Sequence, residues 1–295
     1  MEKRMSDISN GPPRVAIVTG ASRGAGQGIA QALGAHGCTV YVTGRSQKAG
    51  DGPLPGTIYE TAEAITAAGG RGIAVRVDHA DDAAVAALFA QVKAEQGRLD
   101  LLVNNAAAIY DELTMPGRFW EKSLKLADII NVGIRSSYVA SWHAAPIMVG
   151  QGHGLIVNTS GGGSVHYVYG PGYGAHKAGV DKLAADMAVD FDGTGVAAVS
   201  LWMGALLTER LKMVIAADPE KLAHIIDRAE TPAFTGHVVW AMLNDPDVTR
   251  FSGQTVIGAE MALTYGLKGE GGRQPVSYRD TYQVAPHVQY PPIIR

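Results

Sequence analysis

The sequence predicts an α/β fold: a doubly wound, mostly parallel seven-stranded sheet with helices on both faces. Seven short apolar runs recur along the chain, at Val15–Val18, Thr39–Val42, Gly72–Val77, Leu99–Val103, Leu155–Val157, Val196–Leu201 and Thr255–Ile257. Each is strand length, rich in Val, Ile or Leu and nearly without alternation, as strands covered on both faces should be. Helical patterns separate them, and alternating β and α units imply right-handed crossovers in a parallel sheet. With 295 residues, 46% hydrophobic and 18% charged, the chain can fill one enlarged core. No Pro-rich linker, composition shift or internal repeat divides it.

Taken in order, a polar segment at 1–13 is expected to be flexible, and one domain is expected over 14–268. Strand one runs into Thr19-Gly20-Ala21-Ser22-Arg23-Gly24-Ala25-Gly26-Gln27-Gly28 and then an Ile29/Leu33 helical stripe. Strand two follows Cys38, the single cysteine, which reads as a buried inert thiol and leaves no disulfide framework. Residues 45–56 and 106–120 are longer than usual connections between strands and helices. Asp81-Asp82 opens a helix whose Val85, Leu88, Phe89 and Val92 fall at i, i+3, i+4, i+7. Strand four ends in Asn104-Asn105-Ala106-Ala107, and strand five in Asn158-Thr159-Ser160 followed by three glycines. A helix is expected from Tyr173 to about Asp190. The tail, 269–295, has several Gly, Pro and Tyr and weak periodicity; it either drapes over the body or a neighbouring subunit, or frays.

Basic residues number 25 against 28 acidic, a formal charge of −3, which argues against nucleic acid as a partner. The N-terminus lacks an apolar signal core, and the longest nearly apolar run, Val196–Leu207, is too short to span a bilayer. A cytoplasmic protein is expected, with no membrane partner. None of the nine histidines falls in a metal-ligand spacing, so no metal is expected.

Glycine makes up 37 of the 295 residues, and clusters of it follow strands one and five. After strand one, glycines allow a tight turn and close backbone approach to a pyrophosphate, while the next helix N-terminus favours the anion. The spacing is TGxxxGxG, from Thr19 to Gly26, rather than GxGxxG. At the end of strand two, Gly44 stands where an NAD site places a carboxylate, and Arg45 follows. A guanidinium there pairs with the 2′-phosphate of NADP, so NADP(H) is expected over NAD(H). Arg23 either adds a second cation or remains solvated.

Tyr173 and Lys177 are one helical turn apart and therefore neighbours. Phenol has an ordinary pKa near 10, and an adjacent ammonium favours its ionised form. Ser160, at a strand carboxyl end, points to the crevice in which open parallel sheets bind ligands. Asn131 lies in an otherwise apolar stretch read as helix, where its side chain needs a partner.

The glycine loop, Asn104-Asn105-Ala106, Ser160 and Tyr173-x-x-x-Lys177, in this order and spacing, resemble the short-chain dehydrogenase/reductase family over residues 14–268. Phe119-Trp120-Glu121, Asn131-Val132-Gly133-Ile134-Arg135, Asp181-Lys182-Leu183-Ala184-Ala185-Asp186, Ser200-Leu201-Trp202 and Tyr265-Gly266-Leu267 resemble one branch of it. The resemblance implies a Rossmann-type sheet and an Asn131–Ser160–Tyr173–Lys177 tetrad acting on a small carbonyl or alcohol substrate. Tyr173 would exchange a proton with the substrate oxygen, and Ser160 would hydrogen-bond that oxygen. Lys177 would bind the nicotinamide ribose and lower the Tyr173 pKa, and Asn131 would hold a relay water. Cofactor contacts are implied at Gly20, Ser22, Arg23, Gly24, Ala25, Gly26, Arg45, Asp78, Asn104, Ala106 and Thr208, besides Tyr173 and Lys177. Asp78 would meet adenine, Asn104 the adenosine ribose, and Thr208 the nicotinamide carboxamide or pyrophosphate.

Leu206–Ile226 resembles the family's flexible substrate lid, and the family's exposed apolar helix pairs imply a homodimer or homotetramer. Two departures stand out: Ala107 replaces the family's glycine, and Met203-Gly204 replaces its Pro-Gly pair. A redox-sensing or scaffold protein that binds NADP(H) without turnover is the alternative. Trp120, Tyr167, Tyr169 and Trp202 are candidates for the pocket mouth, with ordinary packing open for each. His153, His166 and His176 flank the active strand and helix; substrate contact by His166 or His176 and surface or helix-face roles are both open.

Overall fold

The computed structural model describes residues 12–226, 228–290 and 293–294. The N-terminal segment expected to be flexible therefore lies outside the described residues except for Pro12 and Pro13, and so do three positions at the end of the tail. Seven strands are present: β1 (Val15–Val18), β2 (Thr39–Gly44), β3 (Arg71–Arg76), β4 (Leu101–Asn104), β5 (Gly154–Ser160), β6 (Val196–Trp202) and β7 (Thr255–Ile257). They form one sheet in the order β3-β2-β1-β4-β5-β6-β7, and every pairing is parallel.

The chain moves outward from β1 to β3 and then returns to place β4 on the other side of β1. That reversal opens a crevice outside the carboxyl ends of β1 and β4. Ten helices surround the sheet among the described residues: α1 (Gly24–Ala35), α2 (Ile58–Ala67), α3 (Asp82–Gln96), α4 (Ser136–Gln151), α5 (Pro171–Asp190), α6 (Glu209–Ala217), α7 (Pro219–Ile226), α8 (Pro232–Leu243), α9 (Gly258–Tyr265) and α10 (Tyr278–Tyr282).

Side chains alternate across each strand, so β1 feeds two cores. Ala16 and Val18 join Ile29, Leu33, Ile58, Ile65, Phe234 and Val238 beneath α1, α2 and α8. Val15 and Ile17 join Val85, Leu88, Phe89, Val92, Ala144 and Met148 beneath α3 and α4. Each such large aliphatic or aromatic side chain contributes about 1.5–3 kcal/mol by leaving water. The apolar stripe expected on α3 is buried, and Asp81 caps that helix by accepting the Ala83 and Ala84 N–H groups at 2.9 and 3.2 Å. No helix among the described residues is long and apolar enough to cross a membrane.

One expectation is corrected and two are made specific. Asn131 does not sit in a regular helix: residues 130–135 turn through non-helical conformations at Val132 and Gly133, and Asn131 is exposed. The 106–120 connection is folded into short 3₁₀ turns at Asp111–Thr114 and Phe119–Glu121, with a third following at Leu124–Ala127. The tail drapes over the body: α10 packs beside β6, with Tyr278 and Val284 against Trp202, Ile257 and Ala259.

Candidate active site

The glycine loop is held by backbone and short side chains from two strand ends. The Thr19 N–H bonds Val103 O at 3.0 Å, and the Thr19 hydroxyl accepts the Asn105 and Ala106 N–H groups at 2.9 and 3.0 Å. Gly20 has φ +65°, and a Cβ there would come within 2.8 Å of Ala106 Cα. A Cβ on Gly26 would meet Asn105 Nδ2 at 2.4 Å, so the α1 helix can approach β4 only with glycine at that turn. Asn105 donates to Thr19 O at 2.8 Å and to Gly20 O at 3.2 Å. Its role was not legible from the sequence, although it neighbours the candidate Asn104.

Arg23, Gly24 and Ala25 form the partly exposed lip of the loop, whereas Ser22 and Gly26 are buried. The Gly24 N–H, at the start of α1, donates to a carboxylate oxygen of Glu209 at 3.2 Å. A carboxylate thus stands in for an anionic ligand at this helix N-terminus, and the loop fits a dinucleotide phosphate. Thr208 caps α6, its hydroxyl accepting the Leu211 N–H at 3.3 Å, and its methyl lies 3.6 Å from where a Gly24 Cβ would be.

At the end of β2, Gly44 is buried and Arg45 extends into solvent, 3.9 Å from the Asp78 carboxylate. Arg23 is committed elsewhere: its guanidinium donates to Ser46 Oγ at 2.7 Å and Gly56 O at 2.9 Å, pinning the 45–56 connection. Asp78 accepts the Ala80 N–H at 3.0 Å. Asn104 is turned into the interior, donating to Ser141 Oγ and to Asn158 Oδ1, both at 2.9 Å, while its own oxygen has no partner.

Ser160 ends β5, and its buried hydroxyl donates to Lys177 O at 3.3 Å. Tyr173 and Lys177 lie in the first two turns of α5, as the helical spacing requires, with the ammonium 5.5 Å from the phenol ring centre. Lys177 Nζ also donates to Thr159 O at 3.2 Å. Ser160, Tyr173 and Lys177 are thus brought together, while Asn131 stands at the neighbouring kink with no side-chain partner among the described residues.

Burial pulls the Lys177 ammonium down to about 8, partly opposed by Asp181. Burial also pushes the Tyr173 phenol above its ordinary value, with Tyr278 and Tyr169 adding to the shift. The expected lowering by Lys177 is therefore not reached in the free chain, because the ammonium lies beside the ring in a site that strips water from both groups. Asp181 anchors the back of the site, accepting Ser200 Oγ at 2.5 Å and Trp202 Nε1 at 3.0 Å.

Trp202 does not line a pocket mouth: it is fully buried, because it shares strand parity with Ser200 and turns towards α5. Trp120, Tyr167 and Tyr169 do line a cavity of about 360 Å³ that reaches Tyr173. His176 is buried against Gly133, His166 stacks on Tyr282, and His153 bonds Asp100 away from the site. Among the described residues no group of three or more His, Cys, Asp or Glu is placed to hold a metal ion.

Glu230 has no counterpart in the sequence reading. It is buried against Gly204, and its backbone pairs with Ala205 and Leu207, tying together the two ends of the segment that holds α6 and α7. Burial pushes its carboxyl up to about 7, partly offset by the Gly204 N–H.

The family model described as short chain dehydrogenase matches residues 14–218. The chain is 39% identical over 286 residues to Dehydrogenase/reductase SDR family member 1 of Homo sapiens, covering 93% of this chain and 89% of that protein. The Mus musculus protein of the same name is 40% identical over 276 residues, covering 90% and 86%. A solved short chain dehydrogenase structure from Mycobacterium thermoresistibile superposes with a TM-score of 0.72 at 27% identity, covering 86% of this chain and 88% of that one. The chain belongs to the short-chain dehydrogenase/reductase family of nicotinamide-dependent oxidoreductases, in the branch of Dehydrogenase/reductase SDR family member 1.

Proposed function

We propose that the protein is an NADP(H)-dependent oxidoreductase acting on a carbonyl/secondary alcohol pair, with Tyr173 as general acid/base. The observation that carries this reading is the convergence of Ser160, Tyr173 and Lys177 at the carboxyl end of β5, beside a crevice whose glycine loop accepts an anion. When bound, the nicotinamide supplies or accepts the hydride.

Tyr173 donates its proton to the carbonyl oxygen as negative charge develops there, and removes it again in the oxidative direction. Ser160 hydrogen-bonds that oxygen, an electrostatic contribution greatest in the transition state. Lys177 holds the nicotinamide ribose and favours the phenolate once the proton has left. Asn131, exposed at the kink, meets the water that returns a proton from solvent.

NADP(H) preference rests on the absence of a carboxylate at Gly44 and on the exposed Arg45 guanidinium, with Arg23 supporting the loop beneath it. Asp78, Asn104 and Thr208 border this nucleotide half. The cavity beside Tyr173 has Leu113, Phe119, Trp120, Leu124 and Tyr169 in its walls, which suits an apolar carbonyl compound. We place the catalytic domain at 14–268, in a cytoplasmic enzyme. A homo-oligomer is supported by exposed Tyr138, Trp142 and Val149, which share one face of α4.

The test is NADPH oxidation by the purified protein against a panel of ketones, aldehydes and quinones, with Tyr173→Phe as control. Turnover abolished by that substitution is expected. Tight NADPH binding without turnover on any of them would instead indicate a sensor or scaffold.

A further inference from the structure

We propose that Tyr278, supplied by the C-terminal segment, is a positioning residue of the carbonyl site, holding the Gly161–Gly163 bend that presents Ser160 and Tyr173. This rests on the reductase reading above and adds to it a part of the chain that lies outside the catalytic domain.

The bend follows Ser160 directly, and two tyrosine rings lie on its consecutive glycines. A Cβ on Gly162 would come within 2.8 Å of Tyr278 Cε1, and one on Gly163 within 2.7 Å of Tyr173 Cε1. The Tyr278 hydroxyl also lies 3.6 Å from where a Gly161 Cβ would be. Its ring packs on Trp202 with centroids 5.5 Å apart at 73°. Trp202 is itself fixed through its indole N–H to Asp181, one turn beyond Lys177 on α5. Tyr278 therefore touches the bend on one side and the support of the catalytic helix on the other.

The segment is anchored rather than merely resting there. Ser277 Oγ donates to Glu260 Oε1 at 2.6 Å, Arg279 Nε donates to the same oxygen at 2.9 Å, and Tyr282 stacks on His166 at 5.8 Å. The Tyr278 phenol also adds electrostatically to the upward shift that burial imposes on the Tyr173 pKa. Removing the ring would let the bend relax and admit water beside Tyr173.

The experiment compares Tyr278→Ala and Tyr278→Phe in the full chain, with Glu260→Gln as a variant that loosens the anchor and leaves every ring in place. Tyr278→Ala should lower kcat for ketone reduction about tenfold, as misplacement of reacting groups does. NADPH affinity, read by cofactor fluorescence, should stay within about twofold, and amide exchange at 161–166 should quicken. Because Tyr173 must be protonated to donate, rehydration should move the alkaline limb of kcat to lower pH. Tyr278→Phe keeps the ring, and with it the burial that is the larger cause of the shift, so it should restore the exchange rate and most of the pH limb. Glu260→Gln should shift both in the direction of the alanine variant by a smaller amount.

Turnover that is lost in Tyr173→Phe but unchanged in Tyr278→Ala, with unchanged exchange at 161–166, overturns this proposal alone. An equal loss of NADPH affinity in Tyr278→Ala also overturns it, since that marks general destabilisation. A wild-type chain that binds NADPH and reduces no ketone overturns the reductase reading, and this proposal falls with it.

Discussion

Under the proposed function, the two halves of the crevice are built by opposite means. The nucleotide half is mostly backbone: Gly20 and Gly26 pack on Ala106 and Asn105, which Thr19 holds, Gly24 lies against Thr208, and the group offered to a ligand is the Gly24 amide at the start of α1. The carbonyl half is mostly side chains drawn from distant segments: Ser160 from β5, Tyr173 and Lys177 from α5, aromatic residues from the 106–127 region, and Tyr278 from the tail. A backbone cradle tolerates truncation of a neighbouring side chain, because its donors belong to the main chain. A side-chain constellation does not, because each group has a separate chemical task. Binding and chemistry should therefore separate under mutation.

The largest effect among the supporting groups is expected at Ser160. Ser160→Ala should cut kcat about 100-fold, the range seen when one preorganised donor to a developing oxyanion is removed. NADPH affinity should be nearly unchanged, and a parallel loss of binding would break the division between the halves. Arg45 offers the reverse test, since it is a side chain in the nucleotide half. Arg45→Ala should weaken NADPH about tenfold or more by loss of a charge-assisted phosphate contact, with little change for NADH. Equal losses for both cofactors, measured by titration of fluorescence, would remove the assignment of Arg45 to the 2′-phosphate.

A smaller effect is expected at Glu230, which ties the ends of the segment holding α6 and α7 and sits against Gly204. Its folded pKa of about 7 lies above the ordinary carboxylate value, so the folded chain binds more protons than the unfolded one between those values. Stability from this group is greatest below the unfolded pKa and falls as pH rises to about 7, after which the penalty is constant. Glu230→Gln removes that penalty and should stabilise the chain at pH 8 by up to about 3 kcal/mol, and hardly at all near pH 4. Thermal unfolding at both pH values checks this; equal shifts would show that the carboxyl does not titrate as its burial implies.

The same contrast explains how much the sequence disclosed. All seven strands and their connection through α3 and α5 were legible, because buried parallel strands and i, i+3, i+4 stripes are local patterns. The glycine loop and the Tyr173/Lys177 pair were legible for the same reason: turn geometry and one-turn spacing are written within a few residues. For Trp202 the packing alternative holds, since its parity with Ser200 and the facing Asp181 on α5 account for its burial. Asn131 was expected inside a helix, but non-helical backbone at Val132 and Gly133 breaks the helix there. Tyr278 and Glu230 were not visible, since each acquires its place only when remote segments meet at Gly162 and Gly204. The upward shift at Tyr173 belongs to the same class, because it comes from burial by the assembled site rather than from its neighbour one turn away.

The most direct test of the division between binding and chemistry is NADPH affinity and ketone-reduction rate measured together in Tyr173→Phe. The phenyl ring still packs on Gly163, so NADPH should bind within about twofold of the wild type while kcat falls at least 1,000-fold, the upper part of the range for loss of a general acid. Reduction that continues at the wild-type rate would contradict the account, and so would a loss of NADPH affinity as large as the loss of rate.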